Sequence, residues 1–320
     1  MIENVAKVTA HIRAELEKAI VGQREALDQL QLVLLCSGHA LLEGPPGVAK
    51  TLAVKVLARI CRLQFQRVQC TPDLMPADVL GTNVFNMASS SFSLHRGPIF
   101  TDLLLVDEIN RTPPRTQAAL LESMEERQAT IDGTRYPLSG FYTVFATQNP
   151  IEFEGTYPLP EAQLDRFLVK IKVAYPHAAD ENRILQNYQE GFDARDLERL
   201  NLVPVEAEAL AQAREAVKQV RVEPALFGYI TEIIRRTRAW PSVSLGGSPR
   251  AAVNVMQVAK GLAAMDGRDY LIPDDVKQAG PSALRHRLLL KPEADLEGVS
   301  TDQVIADVLA AIEVPKSGAK

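Results

Sequence analysis

The chain has 320 residues, 46% of them hydrophobic and 23% charged, an ordinary globular composition with enough apolar material for two cores. Its net charge of -5 disfavours a protein whose whole surface grips nucleic-acid phosphates. Three cysteines, Cys36, Cys61 and Cys70, form no CxxC pair and leave one over in any disulfide scheme, as in a reducing compartment, so they read as small buried hydrophobes.

In chain order, residues 1–19 carry acids early and read as an amphipathic helix, neither a signal peptide nor a membrane span. No later stretch reaches about 18 uninterrupted apolar residues, and the expectation is a soluble, cytoplasmic protein. Five short apolar runs follow, at His39 to Glu43, Phe65 to Val68, Leu103 to Asp107, Phe141 to Thr147 and Phe167 to Val173, separated by helical patterns. Being nearly continuous rather than alternating, they predict parallel strands buried on both faces by helices. Two hairpins interrupt this alternation. Gly81 to Phe85 and Ser91 to His95 flank the small polar link 87–90, and Gln128 to Ile131 and Thr134 to Leu138 flank Asp132-Gly133, the strongest short-range hairpin signal.

After Pro176 helical periods take over, at Ala178 to Gln189, Val205 to Val220, Ala225 to Trp240, Pro249 to Met265, Pro273 to Ala279, Pro281 to Leu289 and Thr301 to Ile312. Start signals such as Pro273-Asp274-Asp275 and Ser300-Thr301-Asp302 support them. A boundary near residue 176 follows, dividing residues 1–176 from a helical unit at 177–314, with 315–320 as a disordered tail.

Gly44-Pro45-Pro46-Gly47-Val48-Ala49-Lys50-Thr51 follows the first apolar run and leads into the helical stretch from Leu52 to Arg62. Strand, glycine-rich loop and helix in that order make a phosphate loop, in which backbone N–H groups face phosphates, Lys50 adds positive charge and the Thr51 hydroxyl holds Mg2+. Ala49 stands where a second glycine normally sits, and its methyl would resist a positive φ. Further on, the run Leu103 to Val106 ends in two adjacent carboxylates. Asp107 can hold Mg2+ through water, and Glu108 can orient and deprotonate an attacking water.

Taken together these residues resemble the AAA+ ATPases, and their detailed wording resembles the MoxR family. The resemblance covers nearly the whole chain, through Ile20-Val21-Gly22-Gln23, the loop at 44–51, Leu104 to Arg111, the helical positions Ala118, Leu120, Leu121, Glu122, Met124 and Glu126, Ala146 to Pro150, Leu159 to Phe167, and Ser248-Pro249-Arg250-Ala251. It implies an α/β fold of the P-loop NTPase class: a five-stranded parallel αβα AAA+ core with a C-terminal all-α lid domain. It also implies ATP with Mg2+ as cofactors, bound by Val21 and Gly22 at the adenine and by the loop from Gly44 to Leu52 at the phosphates. Gln23 has a simpler reading as a helix cap.

Carried over by the same resemblance, Asn149 is the sensor 1 residue beside the attacking water. Arg250 is the sensor 2 arginine that touches the γ-phosphate of its own subunit, and Arg166 is an arginine finger for the neighbouring subunit. An ion pair with Asp165 or Glu161 is the competing reading of Arg166. A finger acting in trans implies a ring, most often a hexamer. The inserts near 81–97 and 127–139 resemble the helix-2 insert and the pre-sensor-1 hairpin, which would carry ATP-state changes to a partner.

The five histidines are scattered and no Cys/His cluster or Gly-x-Ser-x-Gly elbow is present. Basic groups at Arg235, Arg236 and Arg238 and at Arg285, His286 and Arg287 could touch nucleic acid, but read first as solvated helix faces and helix-end charges. The resemblance therefore points to a chaperone-like ATPase that remodels a protein client, often alongside a partner with a von Willebrand factor A domain. The alternatives are a nucleic-acid motor or chelatase-type subunit, and a slow nucleotide-gated assembly module.

Overall fold

The computed structural model describes residues 2–88, 90–149 and 156–315. Ser89 in the link of the first hairpin, Pro150 after Asn149, and the expected tail from 316 onward lie outside the described residues. The chain opens with α1 (Ile2–Leu16) and α2 (Arg24–Leu35), followed by β1 (Ala40–Glu43), α3 (Lys50–Ile60) and β2 (Phe65–Gln69). The short helix α4 (Pro76–Leu80) leads into the hairpin β3 (Gly81–Asn86) and β4 (Ser91–Arg96), then β5 (Leu103–Asp107) and α5 (Pro114–Glu126). A second hairpin, β6 (Gln128–Ile131) and β7 (Thr134–Pro137), precedes β8 (Thr143–Gln148), the single turn α6 (Glu161–Leu164) and β9 (Val169–Lys172).

Five of these strands form one parallel sheet in the order β2-β5-β8-β1-β9. Leu41, Leu42, Leu103 to Val106 and Val144 to Ala146 are each at most 2% exposed, because helices cover both faces, and this is why the central strands read as unbroken apolar runs. The edge strand β2 carries exposed Gln66, Arg67 and Gln69 instead. Strand order jumps from β1 to β2 across the sheet, so the C-terminal end of β1 lies at the kind of crevice where ligands of open α/β sheets bind.

Both inserts are hairpins. Asp132 and Gly133 sit at φ 49 and 78, the left-handed pair that a tight two-residue turn requires. The two inserts touch, since Asn83 Nδ2 donates to Asp132 Oδ2 at 2.8 Å.

Beyond residue 176 come α7 (Ala178–Gln189), α8 (Ala207–Lys218), α9 (Pro224–Arg238), β10 (Val243–Leu245), α10 (Pro249–Met265), α11 (Pro273–Leu284), β11 (Leu289–Leu290), α12 (Pro292–Leu296) and α13 (Thr301–Ala310). The region is helical, with one addition that periodicity did not reveal: β10 and β11 pair antiparallel. The helices expected on either side of Pro281 are also a single one, α11, with Pro281 inside it. An internal proline costs a helix about 3 kcal/mol. Here Gly280, Ala283 and Leu284 are buried, a Cβ added at Gly280 would stand 3.1 Å from Leu309 of α13, and tertiary packing outweighs the lost bond. Helix α1 packs on α8 and α10 through fully buried Val5, Ile12 and Leu16, which ties the N-terminus to the helical region. Among the described residues no helix is long and apolar enough to cross a membrane.

Candidate nucleotide site

The loop between β1 and α3 turns through two left-handed residues, Gly47 at φ 82 and Ala49 at φ 59. Ala49 thus adopts the conformation its methyl resists, at a cost of about 1 kcal/mol. It occupies the N-cap of α3 and provides no side-chain cap, so the first N–H groups of that helix face the loop as an anion cradle. Lys50 Nζ donates to the carbonyls of Gly44 and Pro45, at 2.5 and 3.2 Å, and so holds the loop closed. Burial lowers the Lys50 pKa, opposed by the negative charges of Asp107, Glu108 and Glu43.

Asp107 and Glu108, at the end of β5, face this loop. The Thr51 hydroxyl lies 3.4 Å from Asp107 Oδ2. Thr147 Oγ1 donates to Asp107 Oδ1 at 2.6 Å and accepts the Glu108 backbone N–H at 2.8 Å, so one hydroxyl orders both acids. Arg67 grips Asp107 Oδ2 through Nε and Nη2 at 3.1 and 2.7 Å. Glu108 sits at φ 59, and its Oε2 accepts from Gln69 Nε2 at 3.1 Å and pairs with Arg111 Nε at 3.3 Å. Asn149, Thr147, both acids and the loop from Pro46 to Leu52 line one cleft of about 460 Å³.

An apolar slot of about 140 Å³ adjoins this cleft, lined by Ile20, Val21, Val48, Leu52, Ile184 and Phe192 among others. Val21 is a wall, whereas Gly22 leaves room for α7: a Cβ there would stand 2.6 Å from Asp180 Oδ2. Gln23 stands at the N-cap of α2, as its simple reading has it, but its side chain makes no cap bond. Its Nε2 donates to Val48 O at 3.1 Å and ties the 20–23 turn to the phosphate loop.

The two remaining arginines lie elsewhere. Arg166 precedes β9, beside the N-terminal edge of the sheet, where Leu168 N bonds to His39 O. Its Nε is 2.9 Å from Glu125 Oε2, and Arg250 Nη2 is 2.6 Å from Glu125 Oε1. Ser37, His39 and Gln257 line the same cleft. From His39 to Gly44 a strand advances roughly 16 Å, so these arginines and the phosphate loop occupy opposite edges of the sheet. The expectation that Arg250 touches the γ-phosphate of its own subunit therefore does not hold in this arrangement. Nor does Arg166 pair with Asp165 or Glu161.

Asp165 is held by the helical region instead, by Arg287 Nε at 2.6 Å and Ser248 Oγ at 3.0 Å. Arg287 also donates to the carbonyls of Asp165, Phe167 and Leu168, and its side chain is 2% exposed. His286 is buried as well, with its pKa well below the usual value from burial and then from Arg287. The reading of Arg285, His286 and Arg287 as solvated charges fails here, because they stitch the end of α11 to the core.

Residues 39–169 match the family model described as ATPase family associated with various cellular activities, and residues 235–308 match that of the AAA lid domain. The chain is 40% identical over 322 residues to Chaperone MoxR1 of Mycobacterium tuberculosis, covering 95% of this chain and 82% of that protein. It is 42% identical over 311 residues to YeaC of Bacillus subtilis, covering 97% and 95%. A crystal structure from Cytophaga hutchinsonii superposes with a TM-score of 0.88 at 38% identity, covering 98% and 96%. This chain belongs to the MoxR family of AAA+ ATPases.

Within this MoxR-family chain the first matched segment holds the phosphate loop, Asp107, Glu108, Asn149 and Arg166, and the second holds Arg250 and Arg287. Sequence reasoning missed Arg67, Gln69, Thr147 and Glu125, and misread Arg287 as a solvated charge. Polar residues at Arg67 and Gln69 in a short strand were the available signal for the first two. Glu125, in a helix rich in acids, carried none.

Proposed function

We propose that this protein hydrolyses ATP to ADP and phosphate as a ring, with each nucleotide shared between two copies. The observation that carries this is the separation just described: Lys50, Thr51, Asp107 and Glu108 on one edge of the sheet, Arg166 and Arg250 on the other. One chain has a phosphate cradle without the arginines, and a neighbouring chain can supply them.

Thr51 Oγ1 and the Asp107 carboxylate are hard oxygen donors close together, a set that fits Mg2+. Held by these two residues, the ion would supply positive charge against the charge that develops on the phosphates. In this reading Lys50 and the N-terminus of α3 hold the phosphates, while the slot at Ile20 and Val21 takes the adenine. Glu108 accepts the proton of the attacking water and Asn149 orients that water. Arg166 and Arg250 of the adjoining copy stabilise charge on the γ-phosphoryl group, a role worth ~10³ to 10⁵ in turnover for arginine fingers. Both arginines, not Arg166 alone, act in trans.

The Mycobacterium tuberculosis relative is called a chaperone. We extend that role to this chain: a cytoplasmic hexamer that remodels a protein client, alongside a partner with a von Willebrand factor A domain. Burial of His286 and Arg287 removes part of the basic surface that a nucleic-acid motor would use. The test is steady-state ATP hydrolysis against protein concentration, with and without duplex DNA, for the native chain, Lys50→Ala, Glu108→Gln and Arg166→Ala. Activity that rises with concentration, ignores DNA, and in Arg166→Ala returns on mixing with Lys50→Ala subunits supports the reading. Full turnover by Arg166→Ala alone refutes it.

A further inference from the structure

We infer that Glu125 is a positioning residue that sets Arg166 and Arg250 as one phosphate claw for the nucleotide of the adjoining copy. This rests on the trans reading above. Glu125 lies in the last turn of α5, Arg166 follows α6, and Arg250 stands in the first turn of α10, so three separate elements meet at a single carboxylate. The backbones beneath the arginines are fixed independently. Arg287 bonds the carbonyls around Arg166, and Ser248 caps α10 while also donating to Asp165. The guanidinium ends are different: among the described residues, Glu125 is the ion-pair partner of both.

Two like charges on long side chains diverge unless something holds them. A carboxylate between them offsets their repulsion and removes rotamers that would point elsewhere. Each arginine gives Glu125 one nitrogen, Nε from Arg166 and Nη2 from Arg250. A guanidinium has five N–H donors in a planar fork, so the remaining donors of both can address an anion together. The side chains are 29% and 43% exposed, which leaves them within reach of a second molecule. Since Arg250 belongs to α10 and Glu125 to the core, the claw also forms only when lid and core are in register.

The test is Glu125→Gln, nearly isosteric at a side chain one-third exposed. Three readings are taken: nucleotide affinity, turnover at saturating ATP and protein, and turnover after mixing with Lys50→Ala subunits. The expected result is unchanged affinity, turnover lower by about 10- to 100-fold, and partial recovery on mixing, because the Lys50→Ala copy supplies an intact claw to the variant's phosphate loop. Undiminished or raised turnover overturns the inference, since a carboxylate that merely competes with phosphate gives a gain. Loss without recovery also overturns it, as that places Glu125's effect within its own subunit. Arg166→Ala mixed in the same way is the control. If it too fails to recover, the trans reading has failed; if it recovers while Glu125→Gln behaves as native, only the inference about Glu125 has.

Discussion

The Arg287 guanidinium at the end of α11 meets the Asp165 carboxylate at 2.6 Å, directly beside Arg166 in the chain. A lid residue thus fixes the backbone that carries the candidate finger. Arg287→Met leaves a partly buried acid and several carbonyls without their donor, and a broken buried pair of this kind costs about 3 kcal/mol. The expected outcome is a lower urea midpoint together with reduced turnover, while nucleotide affinity at the distant phosphate loop is retained. Equilibrium unfolding and nucleotide titration of the same preparation check both parts.

Ala49 offers the opposite case, a residue under strain. At φ 59 its methyl opposes the backbone the loop needs. Ala49→Gly is expected to raise stability by about 0.5 kcal/mol, the relief of strain being partly offset by the greater freedom of glycine in the unfolded chain. Nucleotide binding should be preserved. A thermal melt of both forms without nucleotide decides it, and a destabilised variant contradicts the strain argument.

Arg67 occupies Asp107 Oδ2, an oxygen that Mg2+ is proposed to share. An ion pair whose arginine is half-exposed, as Arg67 is, is worth up to about 1 kcal/mol, equivalent to roughly fivefold in an equilibrium constant. Arg67→Gln should therefore lower the Mg2+ concentration for half-maximal hydrolysis by up to about fivefold. Titration of Mg2+ at fixed ATP measures this, and a rise in that concentration would mean Arg67 assists the ion.

His39 gives a pH dependence of known sign. It is buried under α5, with Nε2 donating to Met124 O and Nδ1 accepting from Val144 N, the tautomer its partners require. Burial lowers its pKa from 6.5 to about 4. Below pH 6.5 the unfolded chain takes up a proton that the folded chain refuses, so stability falls as pH drops from 6.5 toward 4, by up to ~3 kcal/mol from this group. His286 acts with the same sign. Denaturation midpoints at pH 7 and pH 5 should differ accordingly, and His39→Gln should reduce the difference.

Much of this molecule was legible in the sequence because the features concerned are local. A phosphate loop needs a strand, a turn with left-handed residues and a helix within a few positions, and Ala40 to Ile60 carries all three. Strands buried on both faces must be apolar throughout, which exposed β5 and β8, and Asp132-Gly133 declared its turn through positive φ alone. Periodicity failed where packing overruled local preference, at Pro281 inside α11 and at the two-residue strand β11, too short to show a period.

The sequence by itself determined the family resemblance, the sheet strands and the pair of acids at the end of β5. Only the tertiary structure decided which charges meet: Arg67 with Asp107, Arg166 and Arg250 with Glu125, Arg287 with Asp165. Backbone geometry is dictated by neighbours along the chain, whereas an ion pair is dictated by neighbours in space, and residues far apart in sequence carry no mark of the partner that folding brings to them.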